Sequence, residues 1–429
     1  MFKSCGLAAV ILSFAIPFSS SQQIQPGAGN AKAIALAQKS PEVQSAYNFL
    51  LSQARQLKNA RLRTQTLDAL SNPQTCITHR AGVDVNKKNE ILQQLMIAGL
   101  INPADGTAFP GGALAGVFPP VLDEGSKCPH LPQAFFSAPG SVYGGHHSYP
   151  GGLPVHESNN DISDQNLAEQ YRSVYGNSFF GLPVVSPEQV GNSTPGFVID
   201  QDIIVGAPLW HDWAKSIVFQ WNADGSEFPE LNFGGNGTTD NFGGTTGDSR
   251  TGGHHVMSVA ETMKRGFPPA FVIAQASAHS APTSGSEYKV VNWLRAAAIV
   301  AQIDPVQAGY LTTDKQGNFR LPALRKLGDV DLPGATPTQV NLLTEYTLHN
   351  LSDADFSYSG PAVTEVEIAL RQLAPQFGYD PTDVSRYNNS FRNPAFSFLT
   401  AERLQIILGN SGLQGVKAQL NKLRALGVI

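Results

Sequence analysis

The sequence predicts a mainly helical protein with long loops, and three observations carry that prediction. Apolar residues recur at helical spacing through most of the chain, as in the stripe Val43, Ala46, Tyr47, Leu50, Leu51 and Ala54. No series of alternating strands, internal repeat or coiled-coil heptad competes with that spacing. Glycine (41) and proline (29) are concentrated between the periodic segments, so the connections should be long and irregular. With 429 residues, 41% of them apolar and 15% charged, the chain can bury a large core.

At the N-terminus Lys3 precedes an apolar run from Cys5 to Phe18, followed by Ser19-Ser20-Ser21-Gln22. The run is too short to span a bilayer and small residues follow it, which predicts a secretory signal peptide over residues 1–21 and a secreted or periplasmic product. Cleavage would leave Cys76 and Cys128, an even pair expected to form a disulfide in an oxidising compartment. A net charge of −5 offers neither a basic footprint for nucleic acid nor a polybasic membrane patch, so neither nucleic acid nor a stable membrane anchor is expected.

Residues 22–140 read as an N-terminal helical region and linker. Ser40-Pro41-Glu42 is a helix start, with proline at the first helical position. Further helices are expected at 62–70 and 86–100, whereas 109–140 carries too many breakers for regular structure. Residues 141–310 contain His146, His147 and His156 before a helix expected over 158–175. Asp200-Gln201-Asp202 then starts a helix that delivers Trp210-His211-Asp212-Trp213-Ala214-Lys215. A glycine-rich insert at 222–252 lacks the lysine of a nucleotide-binding loop and reads as a lid or a surface insertion. Helices follow from Gly252, carrying His254 and His255, from Pro268 toward His279, and over 288–303, which ends at Asp304-Pro305. Residues 311–429 form a C-terminal helical region with helices expected at 336–348, 361–373 and 400–426.

Seven of the ten histidines lie between His146 and His279. Imidazole and carboxylate are the usual ligands of catalytic zinc, manganese, iron and cobalt, so this clustering points to a metal site. A zincin motif is absent because Asn160 stands where His156-Glu157 would need a second histidine, and no serine sits in a hydrolase elbow. His79, His130 and His349 have no partners nearby in sequence and read as structural. His146, His147 and His255 read as loop or supporting residues, with His147 able to reach substrate.

The residues from 143 to 304 resemble the HD superfamily of metal-dependent phosphohydrolases. Gly151-Gly152-Leu153-Pro154-Val155-His156 is similar to the family's first-ligand segment, and His211-Asp212 with Lys215 to its doublet and following lysine. Gly253-His254, His279 and Asp304 resemble the later ligands, while Ala214 replaces the family's glycine. The resemblance implies an HD-type helical core holding one or two divalent transition-metal ions (Mn, Fe, Co or Zn). Asp212 would bridge them, with His156, His211 and Asp304 completing one position and His254 and His279 serving the other. Asp212 and Lys215 would then act in metal-dependent hydrolysis of a small-molecule phosphate ester, Lys215 either holding the phosphate or pairing with Asp212. A di-iron oxygenase and a non-catalytic metal-binding protein are the alternatives.

Overall fold

The computed structural model describes residues 26–176, 199–234, 247–282, 286–324 and 343–429, and the chain is mostly helical. The expected signal peptide, the glycine clusters at 235–246 and the first part of the expected 336–348 helix lie outside the described residues.

The N-terminal helices are α1 (Asn30–Lys39), α2 (Pro41–Gln56), α3 (Ala60–Ser71) and α4 (Val85–Ile97). Ser40 caps α2 by accepting a hydrogen bond from the Val43 N–H at 3.2 Å, and Asp84 caps α4 by accepting from Lys87. Helix α5 (Pro103–Ala108) precedes the breaker-rich stretch 109–140, which itself still forms one short α-helix, α6 (Gly112–Val117). Cys76 and Cys128 are joined by a disulfide, with Cα atoms 4.9 Å apart.

The central helices are α7 (Gly152–Tyr171), α8 (Gln201–His211), α9 (Lys215–Val218), α10 (Gly253–Lys264), α11 (Pro269–Ala276) and α12 (Glu287–Ala301). After them come α13 (Thr344–Ser352), α14 (Phe356–Leu373), α15 (Val384–Tyr387), α16 (Asn393–Leu399) and α17 (Ala401–Ala425). Strand structure among the described residues is limited to four two-residue strands in two antiparallel pairs, Asn232–Phe233 with Thr251–Gly252 and Thr312–Thr313 with Phe319–Arg320.

One hydrophobic core joins residues of α2, α3 and α4 to those of α8 and of α10 through α13. A second core lies between α14, α16 and α17 and takes in Tyr149 from the loop before α7. Helix α7 packs against α2, α8 and α13, and α8 packs against α11. That arrangement decides what α13 does: it lies against the helices carrying the sequence-predicted ligands. No helix among the described residues is long and apolar enough to cross a membrane.

Candidate metal centre

Helix α7 begins six residues earlier than its sequence suggests, which puts His156 on the helix rather than in the loop before it. The Gly151-Gly152 pair makes that start possible. A Cβ at Gly152 would stand 1.8 Å from the His147 carbonyl oxygen, so only glycine lets the helix begin against that loop. The buried side of α7 then carries His156, Glu157, Asn160, Asp161 and Asp164.

Helix α8 is capped by Asp200, whose side chain accepts from the Asp202 N–H, and it ends at His211. Asp212 lies just beyond, with φ −110° and ψ 6°, so the doublet straddles a helix end instead of sharing a helix face. The end is fixed by two tryptophans, Trp210 donating to Thr66 Oγ1 at 2.9 Å and Trp213 to the Ala69 carbonyl at 3.1 Å. Lys215, in the next turn, pairs with Asp212 Oδ2 while almost fully buried.

His254 is the second residue of α10, and Glu230 accepts its backbone N–H at 3.1 Å. A carboxylate at this place both caps a free helix donor and faces the positive end of the helix dipole. His279 lies in the turn after α11, with its side chain 26% exposed.

These elements bring four histidines and two aspartates together in one pattern. Each histidine has its Nδ1 held from outside. His156 Nδ1 is 3.0 Å from Asp355 Oδ1, His254 Nδ1 is 2.6 Å from Glu230 Oε2 and His279 Nδ1 is 2.7 Å from Thr251 Oγ1. His211 Nδ1 donates to the Pro208 carbonyl at 3.0 Å and has Glu157 3.2 Å away. A carbonyl only accepts, so in its neutral form, the one that could bind a metal, the His211 ring would present an unprotonated Nε2.

All four Nε2 atoms face inward. His156 and His211 stand 3.1 and 3.3 Å from Asp212 Oδ2, and 3.3 and 3.4 Å from Asp353 Oδ1. His254 Nε2 is 3.0 Å from the other oxygen of Asp212, and His279 Nε2 is 3.8 Å from the other oxygen of Asp353. Both Asp212 oxygens and His254 Nε2 are buried without a hydrogen bond despite these close approaches. Donors that converge without hydrogen-bond alignment suit a cation between them, and these buried His and Asp groups could hold a metal ion.

The electrostatics agree with that convergence. Burial resists ionisation of Asp212, but His211, Lys215 and His254 outweigh it and hold the carboxyl well below the usual range. Asp353 is held down against burial in the same way by His211 and His156. In return the carboxylates overcome burial at His211 and His156 and raise both imidazoles well above their ordinary value. Burial dominates at Glu157, which is raised, and at His255 and His349, which are lowered.

Asp304 does not join the cluster. It is exposed, and its Oδ1 accepts the N–H groups of Val306 and Gln307 at 2.9 and 3.1 Å, capping the turn after α12. The carboxylate that meets the histidines is Asp353, between α13 and α14, where Asn160 donates to it at 3.1 Å. Sequence reasoning missed it because Asp353-Ala354-Asp355 closes a largely polar helix, Thr344–Ser352, unlike the apolar helix that precedes Asp304. Asn160 repeats the α7 ligand face one turn after His156.

Comparison with protein-family models, curated proteins and solved structures returned no match.

Proposed function

We propose that this protein is a metal-dependent hydrolase of a small-molecule phosphate ester, built on an HD-type helical core around a paired cation centre. The observation that carries this reading is the split of the two carboxylates. Asp212 and Asp353 each offer one oxygen to the His156–His211 side and the other to the His254–His279 side. His156 and His211 would hold one cation and His254 and His279 a second, with Asp212 and Asp353 available to both. The mixed nitrogen and oxygen donors favour Mn, Fe, Co or Zn over the oxygen-seeking Ca and Mg. Bound there, divalent ions would neutralise phosphoryl oxygens and lower the pKa of a coordinated water toward neutrality.

The chain's own residues define the rest. Asp355, Glu230, Glu157 and Thr251 fix the imidazole orientations, which keeps the Nε2 lone pairs directed inward. Among the described residues Lys215 is the lysine paired with Asp212, and its charge is the strongest one felt by His146. With Asp212 holding a cation, Lys215 would be free to hold a phosphate oxygen. His279 and Glu230, on the His254–His279 side, are partly exposed, and substrate would enter from there. The Cys76–Cys128 disulfide supports a destination outside the cytoplasm.

The test is phosphate release from a panel of monoesters and diesters after loading with Mn, Fe, Co or Zn, using wild type and Asp212→Ala. Turnover that needs metal and disappears in the variant is the expected result. No turnover with any metal, or turnover that survives in Asp212→Ala, overturns the reading. Oxygen uptake by the iron-loaded protein without phosphate release would favour the oxygenase alternative.

A further inference from the structure

We propose that a further metal site lies beside the paired centre, held by His146, His147 and Asp355. The paired centre uses only one oxygen of Asp355, and only as an outer partner: Oδ1 meets His156 Nδ1. The other oxygen, Oδ2, faces His147 Nε2 at 2.9 Å. His147 repeats the orientation of the four central histidines, with Nδ1 held from outside by the Tyr149 hydroxyl at 3.2 Å and by Glu402 at 3.5 Å, and Nε2 directed at a carboxylate.

His146 supplies the third donor. Its Nδ1 is buried and has no hydrogen-bond partner, and its ring centroid lies 5.8 Å from that of His147 and 4.8 Å from that of His156. A nitrogen–metal bond of about 2.1 Å sets imidazoles that share one ion roughly 5–6 Å apart between ring centres. The donor atoms of His146, His147, His156 and Asp355 all lie within 4.8 Å of one another. Two ligands of one ion stand about 3–4 Å apart, so closure needs only a small adjustment of the donor set. His156 keeps its Nδ1 hydrogen bond to Asp355 and is not a ligand here, so solvent completes the coordination.

The backbone holds this corner in place. His147 has φ of 49°, an uncommon conformation for a residue with a Cβ, and four contacts impose it. Its N–H donates to Ser359 Oγ at 3.2 Å, and its carbonyl accepts from Gly140 and Tyr149 at 2.9 Å each and closes against Gly152. Ser359 in turn donates to Glu402. Helices α14 and α17 therefore position His147, just as α7 and α8 position the paired centre.

The site rests on the paired-cation reading only for its neighbour, and metal counting separates the two. Metal per chain would be measured by elemental analysis after cobalt or manganese loading and desalting. The samples are wild type, H146Q, H146Q/H147Q and H254Q/H279Q, with far-UV circular dichroism to check the fold. His146→Gln breaks no hydrogen bond at Nδ1, so it tests the site even if the double variant unfolds. The expected result is one equivalent fewer than wild type in H146Q/H147Q, with cobalt binding weakened at least tenfold for that equivalent in H146Q. H254Q/H279Q should lose a different equivalent, with its own cobalt absorption band. Wild-type metal content and affinity in H146Q overturns this site and leaves the paired centre standing. Loss in H146Q with none in H254Q/H279Q supports this site and overturns the paired centre. A wild type that binds no metal overturns both.

Discussion

Replacing Asp353 by asparagine removes one of the two carboxylates on which the inward-facing histidine nitrogens converge. Metal affinity of Asp353→Asn should fall by more than the roughly 10–100-fold typical of an outer partner, as read by competition with a chelator. Asp304→Asn should leave affinity unchanged, because Asp304 caps an exposed turn and asparagine caps nearly as well. Glu230→Gln tests the outer layer and should weaken binding roughly 10–100-fold by loosening His254. His156, His211, Asp212 and His254 were legible because each belongs to a short local pattern, whereas His279 stands alone and was read only from its order along the chain. Asp353 was not, since a helix-ending aspartate looks the same whether it caps a turn or meets a ligand set. What separates Asp353 from Asp304 is the packing of α13 on α7, a contact between residues nearly two hundred positions apart.

At the scale of elements, Glu261 joins α10 to the turn at residues 78–80. It accepts the N–H groups of Thr78 and His79 at 3.0 and 3.1 Å, has His79 Nδ1 at 2.7 Å and receives Arg265 Nε at 2.7 Å. Burial pushes this carboxyl up, but Arg265, His79 and the Thr78 N–H outweigh it and hold it down to about 2. A depressed folded value stabilises the fold above the unfolded value of about 4.5, and that contribution is lost as pH falls toward 2. The loss should approach about 3 kcal/mol. Urea unfolding of metal-free protein at pH 5 and pH 3 should show a steeper acid loss in wild type than in Glu261→Gln. The disulfide belongs to this scale too, since it joins residues 52 apart in the chain. Cys76→Ser/Cys128→Ser should lower stability by about 2–4 kcal/mol in the same assay while metal content stays as in wild type. Helix periodicity exposed most elements to within a few residues. The errors fell where glycine decides, as at Gly151-Gly152, because a close backbone approach leaves no trace in apolar spacing.

For the whole molecule, the centre gathers side chains from α7, the end of α8, the start of α10, the turn after α11 and the junction of α13 with α14. Ligand that binds only the folded chain stabilises it by about 4 kcal/mol at a thousandfold excess over Kd. Chelation should therefore lower the melting temperature of wild type, with little change in Asp353→Asn, as differential scanning calorimetry would show. Composition and periodicity revealed the helical class, but they say nothing of which helices adjoin. The place of Asp353 in the chain also sets a schedule. A ribosome releases His156, His211, Asp212, His254 and His279 well before Asp353 and Asp355, so the nascent polypeptide carries an incomplete chelating set until its last fifth emerges. If the centre holds metal as proposed, capture would follow emergence of Asp353, and stalled chains of about 340 residues should bind no metal tightly however long they wait.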